Sequence, residues 1–479
     1  MIFNEKGESI AAAQEEHAQI LPQAGWVEHD PLEIWLKVTK VISLALKEAG
    51  LSGSDLAAIG ITNQRETTVA WDSRTGLPLY NAIVWQDTRG QVILDTFSDK
   101  TKKQATYKTG LAIAPYFSAS KMSWLLRNVP EVAKAAQSGA LKFGTIDSWL
   151  IWKLTNGVHI TDVTNASRTL LMDIETLQWD EELLQLFGVP SESLPAIKSS
   201  SEIYAKTQAD GVFAAQIPIA GILGDQHAAM VGQLCFDRGD TKCTYGTGNF
   251  ALVNTGTEIV RSTQGLLTTV CFKFGDQPAR YALEGSVAVT GSAVQWLRDQ
   301  LGIIHEASEI EALAASVADN GGVYFVPAFS GLFAPYWRSD ARGVLVGLTR
   351  AATRAHIARA TLEAIAYQTK DVIDAMAHET GVQLKELKVD GGITQNQLCM
   401  QIQSDIAQIE LSRPVVSETT ALGAAYAAGL AVGIWSDVNA LREQWKESAR
   451  FSPIIGSELA STGYGNWKRA IERTLNWVE

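Results

Sequence analysis

IPIAGILGDQHAAMVGQLCFDRGDTKCTYGTGNF, residues 217–250, sets an apolar run, a carboxylate and a glycine-rich turn in one line. The run IPIAGIL (217–223) lacks alternation, the pattern of a strand covered on both faces, and QHAAMVGQL after it has helical spacing. Asp225 therefore falls where a strand meets a helix, a position from which side chains commonly point into a cleft. Further on, TYGTGN (244–249) lies between the strand-like runs KCTY and FALVN and reads as a hairpin tip. Glycines there let the backbone approach an anion and aim N–H groups at it, and the Thr247 hydroxyl adds a donor. A carboxylate beside a phosphate cradle suits phosphoryl transfer, because the acceptor hydroxyl must hand its proton to something. Each feature also has a plainer explanation: Asp is a favoured helix N-cap, and Gly/Asn tips are ordinary hairpin chemistry.

Around this stretch, 479 residues with 46% hydrophobic composition are enough for two or three domains with sizeable cores. The formal net charge of -12, with no run of Lys or Arg, argues for solubility and against a nucleic-acid surface. Cys235, Cys243, Cys271 and Cys399 show neither CxxC spacing nor paired histidines, which speaks against zinc and for a reducing cytoplasm. In that compartment the Asn165-Ala166-Ser167 sequon carries no meaning. Glu5, Lys6 and Glu8 precede any apolar block, so no signal peptide is expected. The apolar run ALGAAYAAGLAVGIW (421–435) is too short to span a bilayer and reads as a tightly packed internal helix.

Asp30-Pro31-Leu32-Glu33 offers an N-cap, Pro at the first helical position and Glu to complete a capping box, and it opens a helix that closes at Gly50. AAIGIT, TTVAWD and PLYNAIVW (78–85) follow as strand-like runs, the last two joined by the turn SRTG. Between the first two stand Arg65 and Glu66, a charged pair that must be exposed at a strand end or satisfied in a pocket. Helical patterns run through 120–127 and 148–154. The second half repeats the alternation: a strand-like VYFVPAF, a helix over 356–376, the strand LKVDGG, the helix QNQLCMQIQSDIA and the Ala/Gly helix. Two mixed α/β halves result, with the join expected near 232–240.

Two stretches carry a resemblance to a known family. YFSASKMSWLLRN (116–128) fits the first signature of the FGGY carbohydrate kinases, and GVLVGLTRAATRAHIARATLE (343–363) fits the second with its spacing intact. GWVEHDP (25–31), ITNQRETT (61–68), YNAIVWQ (80–86), TNASRT (164–169), TYGTGNF (244–250) and VPAFSGLFAPYW (326–337) resemble the glycerol-phosphorylating branch rather than members acting on xylulose or gluconate. The resemblance implies an α/β fold of two ribonuclease H-like (actin-like ATPase) lobes, 1–231 and 232–479, with an interlobe cleft. The substrate would lie deep in that cleft and the nucleotide mainly on the second lobe. Motif by motif, it implies that Arg65, Glu66, Tyr116, Asp225 and Gln226 hold the glycerol hydroxyls, and that Asp225 is the general base. A triol presents only hydroxyls, so a site with both acceptors and donors agrees with this. Trp85 and Phe250 would wall the carbon chain, although both serve equally well as core aromatics. Thr247, Gly291, Gln295, Gly392 and Asn396 would meet the nucleotide; the Gly391-Gly392 turn before a helix has an anion-binding rationale of its own. ATP and Mg2+ are the implied cofactors, with no metal ligand assigned. Glycerol and ATP are the implied ligands, in a cytoplasmic homo-oligomer, dimer or tetramer.

The chain also departs from the family. Its members open with a strand and a turn of the form Asp-x-Gly-Thr-Thr-Ser followed by Arg, and Met1-Ile2-Phe3-Asn4 aligns just past that turn. The expectation is that the 479-residue chain is poorly soluble, or about 10³-fold less active than a form carrying that segment. Phe333 stands where the family usually has Gly. The loop ADGVFAAQ (209–216) lacks the Gly-Arg element with which some bacterial members bind fructose 1,6-bisphosphate, and SEIYAKTQ (201–208) has no His to phosphorylate. Three readings stay open: an ATP-dependent kinase of glycerol, a kinase of a related polyol or ketose, and a non-catalytic remnant that binds a polyol or a partner protein. Arg65-Glu66 and TYGTGNF favour the first over the second, while the missing turn keeps the third alive.

Overall fold

A computed structural model describes residues 1–478. Helix Pro31–Ala49 begins as its sequence dictates: the Asp30 carboxylate accepts the Leu32 N–H at 2.8 Å, Pro31 sits in the first turn, and Gly50 closes the helix in the left-handed conformation. The capping box does not form. Glu33 instead accepts the Ala18 N–H at 3.3 Å, because the preceding chain folds back over the first turn and offers a nearer donor. The strand-like run 78–85 is likewise broken into Leu77–Pro78 and Ala82–Ile83. Between these pieces the Tyr80 hydroxyl and Asn81 amide turn aside to donate to Glu28 at 3.0 and 2.9 Å.

Every sheet with two or more strands lies wholly on one side of 232–240. In the first half, Pro218–Gly224 runs parallel to Ile59–Asn63 and antiparallel to Ser201–Lys206. The second half builds a seven-stranded sheet in the order Leu267–Phe272, Arg280–Val287, Asn249–Gly256, Thr241–Tyr245, Glu386–Asp390, Glu410–Pro414, Glu447–Phe451. Helix Arg354–Thr380 covers one face of it. A Cβ on Gly285 would strike Val372 of that helix, so Glu284, the next residue along the strand, points out of the other face.

The Ala/Gly helix runs over Thr419–Ala431 and ties the halves together. It belongs to the second half by sequence but packs against Ile59–Asn63, Pro218–Gly224 and helix Asp225–Gly232 of the first. Backbone meets backbone there. A Cβ on Gly60 would overlap the Ala424 carbonyl, one on Gly423 the Ala228 carbonyl, and one on Gly221 would lie 2.7 Å from Ala428 N. Among the described residues, no helix is long and apolar enough to cross a membrane. All four cysteines are free and buried, and Asn165 of the sequon is buried as well.

Ile59–Asn63 is paired along one edge only, and so is Ile2–Phe3, which bonds Ser9–Ala11. Both border a cavity of about 710 Å³, walled by Val38 and Ile42 of the first helix and by Ala424 and Ala428 of the Ala/Gly helix. Free strand edges with apolar surfaces above and below form the environment of a central strand. An apolar extended peptide that adds to these edges is therefore expected to raise the melting midpoint by several degrees, since about 1 kcal/mol moves Tm by roughly 2–4 °C in a domain of this size. Differential scanning calorimetry with and without the peptide checks this, and equal midpoints would mean that the cavity does not receive a strand.

Candidate active site

Asp225 opens helix Asp225–Gly232, but the N-cap residue is Gly224 rather than Asp225. Oδ1 accepts the Gln226 N–H at 2.7 Å and stands 3.0 Å from Arg65 Nε, and the side chain keeps 34% of its surface exposed. Glycine at 224 makes this arrangement possible: a Cβ there would lie 2.7 Å from Arg65 Cγ and 3.0 Å from His227 Nδ1.

Arg65 and Glu66, the charged pair between two strands, are satisfied in a pocket rather than exposed. Arg65 donates Nη1 and Nη2 to Glu284 Oε2 and Oε1 at 2.6 and 3.0 Å. Arg168 donates Nε to Glu66 Oε1 at 2.7 Å and Nη2 to Glu284 Oε1 at 3.2 Å. All four residues are at most 3% exposed. Burial pushes the Glu66 carboxyl above its ordinary range; at Glu284 the same penalty is outweighed by Arg168 and Arg65, which hold that carboxyl well below it. Glu66 has a left-handed backbone, φ 63°, a conformation that costs a non-glycine residue about 1–3 kcal/mol. Hydroxyls of Ser118 and Thr68 hold it there by donating to its carbonyl. Glu66 Oε2 has no hydrogen-bond partner among the described residues, which leaves an acceptor free. Tyr116 lies beside this cluster, its hydroxyl pushed up by burial and by Glu66, and its ring is 5.2 Å from that of Trp85.

The second half meets this cluster with one face of its sheet. Thr244 is opposite Phe250, Lys242 opposite Leu252, Leu252 opposite Glu284, and Phe250 opposite Ser286. With a period of two, Lys242, Thr244, Phe250 and Glu284 therefore share a side. Lys242 Nζ donates to Gln226 Oε1, to Thr244 Oγ1 at 2.9 Å and to the Phe250 carbonyl at 3.3 Å. The Gln226 amide is thereby oriented: its oxygen goes to the lysine, and its nitrogen remains a donor 3.5 Å from Asp225 Oδ2.

A second group forms at one end of the same sheet. The tip 246–248 joins Thr241–Tyr245 to Asn249–Gly256, and its carbonyls bind the start of helix Gly291–Asp299: Gly246 O accepts from Gly291 N at 3.1 Å, and Thr247 O from Ser292 N at 3.2 Å. The Thr247 hydroxyl makes no hydrogen bond among the described residues and is exposed. Gly391, with φ 94°, lies against the Tyr245 backbone, where any Cβ would collide, and Ile393 borders Gly291. Thr247, Gly291 and the Gly391-Gly392 turn thus converge. Gln295 is exposed on the helix that Gly291 begins, while Asn396 caps helix Gln397–Ala407 by accepting the Cys399 N–H at 2.8 Å.

The model of the N-terminal domain of the FGGY family of carbohydrate kinases matches residues 1–232, and that of its C-terminal domain matches 241–432. The chain belongs to the FGGY family of carbohydrate kinases. Glycerol kinase 1 of Streptomyces coelicolor is 59% identical over all of this chain and 96% of its own length; glycerol kinase of Mycobacterium tuberculosis is 59% identical over all of this chain and 94% of its own. A crystal structure of Plasmodium falciparum glycerol kinase with ADP superposes with a TM-score of 0.93 at 42% identity, covering 99% of this chain and 95% of that one. Xylulose kinase from Lactobacillus acidophilus shares the fold, with a TM-score of 0.85 at 22% identity over 98% and 94% of the two chains.

Sequence reasoning missed three residues of this cluster: Arg168, Lys242 and Glu284. Each left a trace, a lone charge in the buried segments TNASRT, KCTY and YALEGSV. Phe333, the departure from family pattern, stacks on Trp337 with ring centroids 5.8 Å apart and planes at 13°.

Arg65→Ala would strand Glu284 beside a vacated space, and breaking such a buried pair costs about 3–5 kcal/mol, so stability would mask function. Arg65→Lys keeps the charge but loses the fork. It is expected to raise the KM for glycerol about tenfold or more with the KM for ATP unchanged, and steady-state kinetics with each substrate varied separately measures both.

Proposed function

We propose that this kinase transfers the γ-phosphoryl group of MgATP to a terminal hydroxyl of glycerol, giving sn-glycerol 3-phosphate and ADP. The observation that carries this reading is the partly exposed carboxylate of the buried charge cluster, Asp225, set beside Arg65 and Gln226 in a chain so similar to glycerol kinases. Glu66 and Asp225 supply acceptors, and Arg65 and Gln226 supply donors, a set matched to a small triol. Tyr116 contributes a further hydroxyl, with Trp85 and Phe250 against the carbon chain. In the reaction the attacking hydroxyl gives its proton to Asp225 as its oxygen bonds the γ-phosphorus, and the bond from that phosphorus to the β-bridging oxygen breaks.

Residues 1–231 serve as the polyol lobe and 232–479 as the nucleotide lobe, with the phosphates near Thr247, Gly291 and Gly392 and the rest of the nucleotide toward Gln295 and Asn396. Among the described residues there is no cluster of three metal-ligating side chains, and magnesium on a nucleotide does not need one, since phosphate oxygens and water fill most of its shell. Glu284 gives both oxygens to arginines and Glu66 gives one, so Asp225, the most exposed of the three site carboxylates, would be the one to face the ion. Bound magnesium neutralises the phosphate charge. Reduced, buried cysteines suit the cytoplasm, and family resemblance supports a homo-oligomer.

Coupled ADP release across glycerol, xylulose and gluconate tests the assignment. Glycerol is expected to be the preferred acceptor, and equal turnover on xylulose would refute the reading. Asp225→Asn keeps the shape and removes the base, so kcat is expected to fall about 10²-fold or more with glycerol binding much less affected. An unchanged kcat would leave Asp225 a role in structure only.

A further inference from the structure

Glu284 stands outside the residues assigned to glycerol, yet several of those residues take their positions from it. Its two oxygens receive both terminal nitrogens of Arg65, which leaves the Nε edge, 3.0 Å from Asp225 Oδ1, as the part of the guanidinium turned to the site. Arg168, bonded to the same carboxylate at 3.2 Å, carries the anchor on to Glu66 at 2.7 Å. Glu284 comes from the second half of the chain, and the other four from the first. We infer that Glu284 is a positioning residue for the acceptor site, a carboxylate sent across from the second half that fixes the rotation of Arg65 and Arg168 and so keeps Asp225 and Glu66 open to a small polyol. The inference rests on the glycerol-phosphorylating reading above.

The physical argument is competition for arginine. A guanidinium holds five N–H donors in one plane and binds most strongly as a two-bond fork on a carboxylate. Three carboxylates, Glu66, Asp225 and Glu284, face two such forks. Glu284 is buried, whereas Asp225 keeps a third of its side chain open to solvent, so the fork of Arg65 goes to Glu284. If Glu284 carried no charge, Arg65 would swing its fork onto Asp225 and occupy both oxygens, including the one that must take the hydroxyl proton. No neighbour replaces it: Lys242 is held by Gln226, and burial and nearby cations keep the His227 imidazole neutral. Arg168 Nη1, buried without a partner, shows an arginine held by its other nitrogens alone.

Glu284→Gln preserves volume and removes the charge. In steady-state assays of the full chain, with glycerol binding followed in parallel by titration calorimetry, it is expected to raise the KM for glycerol about tenfold or more and to lower kcat. The KM for ATP should stay within about twofold, because the side-chain hydrogen bonds of Glu284 among the described residues go to Arg65 and Arg168 and not to the turns at 246–248 and 391–393. Glu284→Asp, which keeps the charge one methylene short, should show a smaller shift of the same kind, and it carries the test if the Gln variant fails to fold. Glycerol and ATP constants rising in parallel, or a lowered Tm with an unchanged KM for glycerol, would make Glu284 a strut and overturn the inference. A parent chain that neither binds nor phosphorylates glycerol refutes the proposed function and this inference with it. A parent that does both, beside an unaltered Glu284→Gln, refutes this inference alone.

Discussion

Two arginines and two glutamates, all withdrawn from water, sit at the centre of this molecule, and their mutual neutralisation is the constraint on which the rest is built. Taking an unpaired charge into a protein interior is prohibitive, and even a pair breaks even only when its hydrogen bonds are filled. Here the charges are paired across the join between halves, Arg65 and Arg168 on one side and Glu284 on the other. Neither half can bury its own share alone. The acceptor site is thus a product of the association of the halves rather than a property of either.

The Ala/Gly helix meets the same constraint by geometry. Charges that must meet within 3.2 Å require the two halves to be registered closely, and side chains long enough to repack would blur that register. Contacts made through Gly60, Gly221 and Gly423 leave no side chain to adjust. The helix fixes the distance, and the ion pairs fix the orientation.

What the sequence disclosed followed the range of the interactions concerned. The Asp30 cap, the strand ending at Gly224 and the hairpin tip at 246–248 are set by neighbours a few residues away, and their patterns are local. Glu33 and the 78–85 run misled because distant donors and acceptors, Ala18 and Glu28, outbid the local partners. Glu284 was invisible because its partner Arg65 lies 219 positions away, and nothing within YALEGSV says which charge will meet it. Gln226 was legible as a polar ligand, but the direction its amide faces was not, since Lys242 sets it from another strand.

The close backbone approach of the Ala/Gly helix also bears on how such a chain can change over time. Gly60 and Gly221 belong to the first half, and the helix that demands their smallness is encoded about 360 and 200 positions later. A recombination event at 232–240 would separate the requirement from the residues that meet it. The join is where the sheets part company, yet it is a poor place to cut the gene: the two halves form one heritable unit, and new substrate ranges must arise inside it by substitution rather than by exchange of lobes.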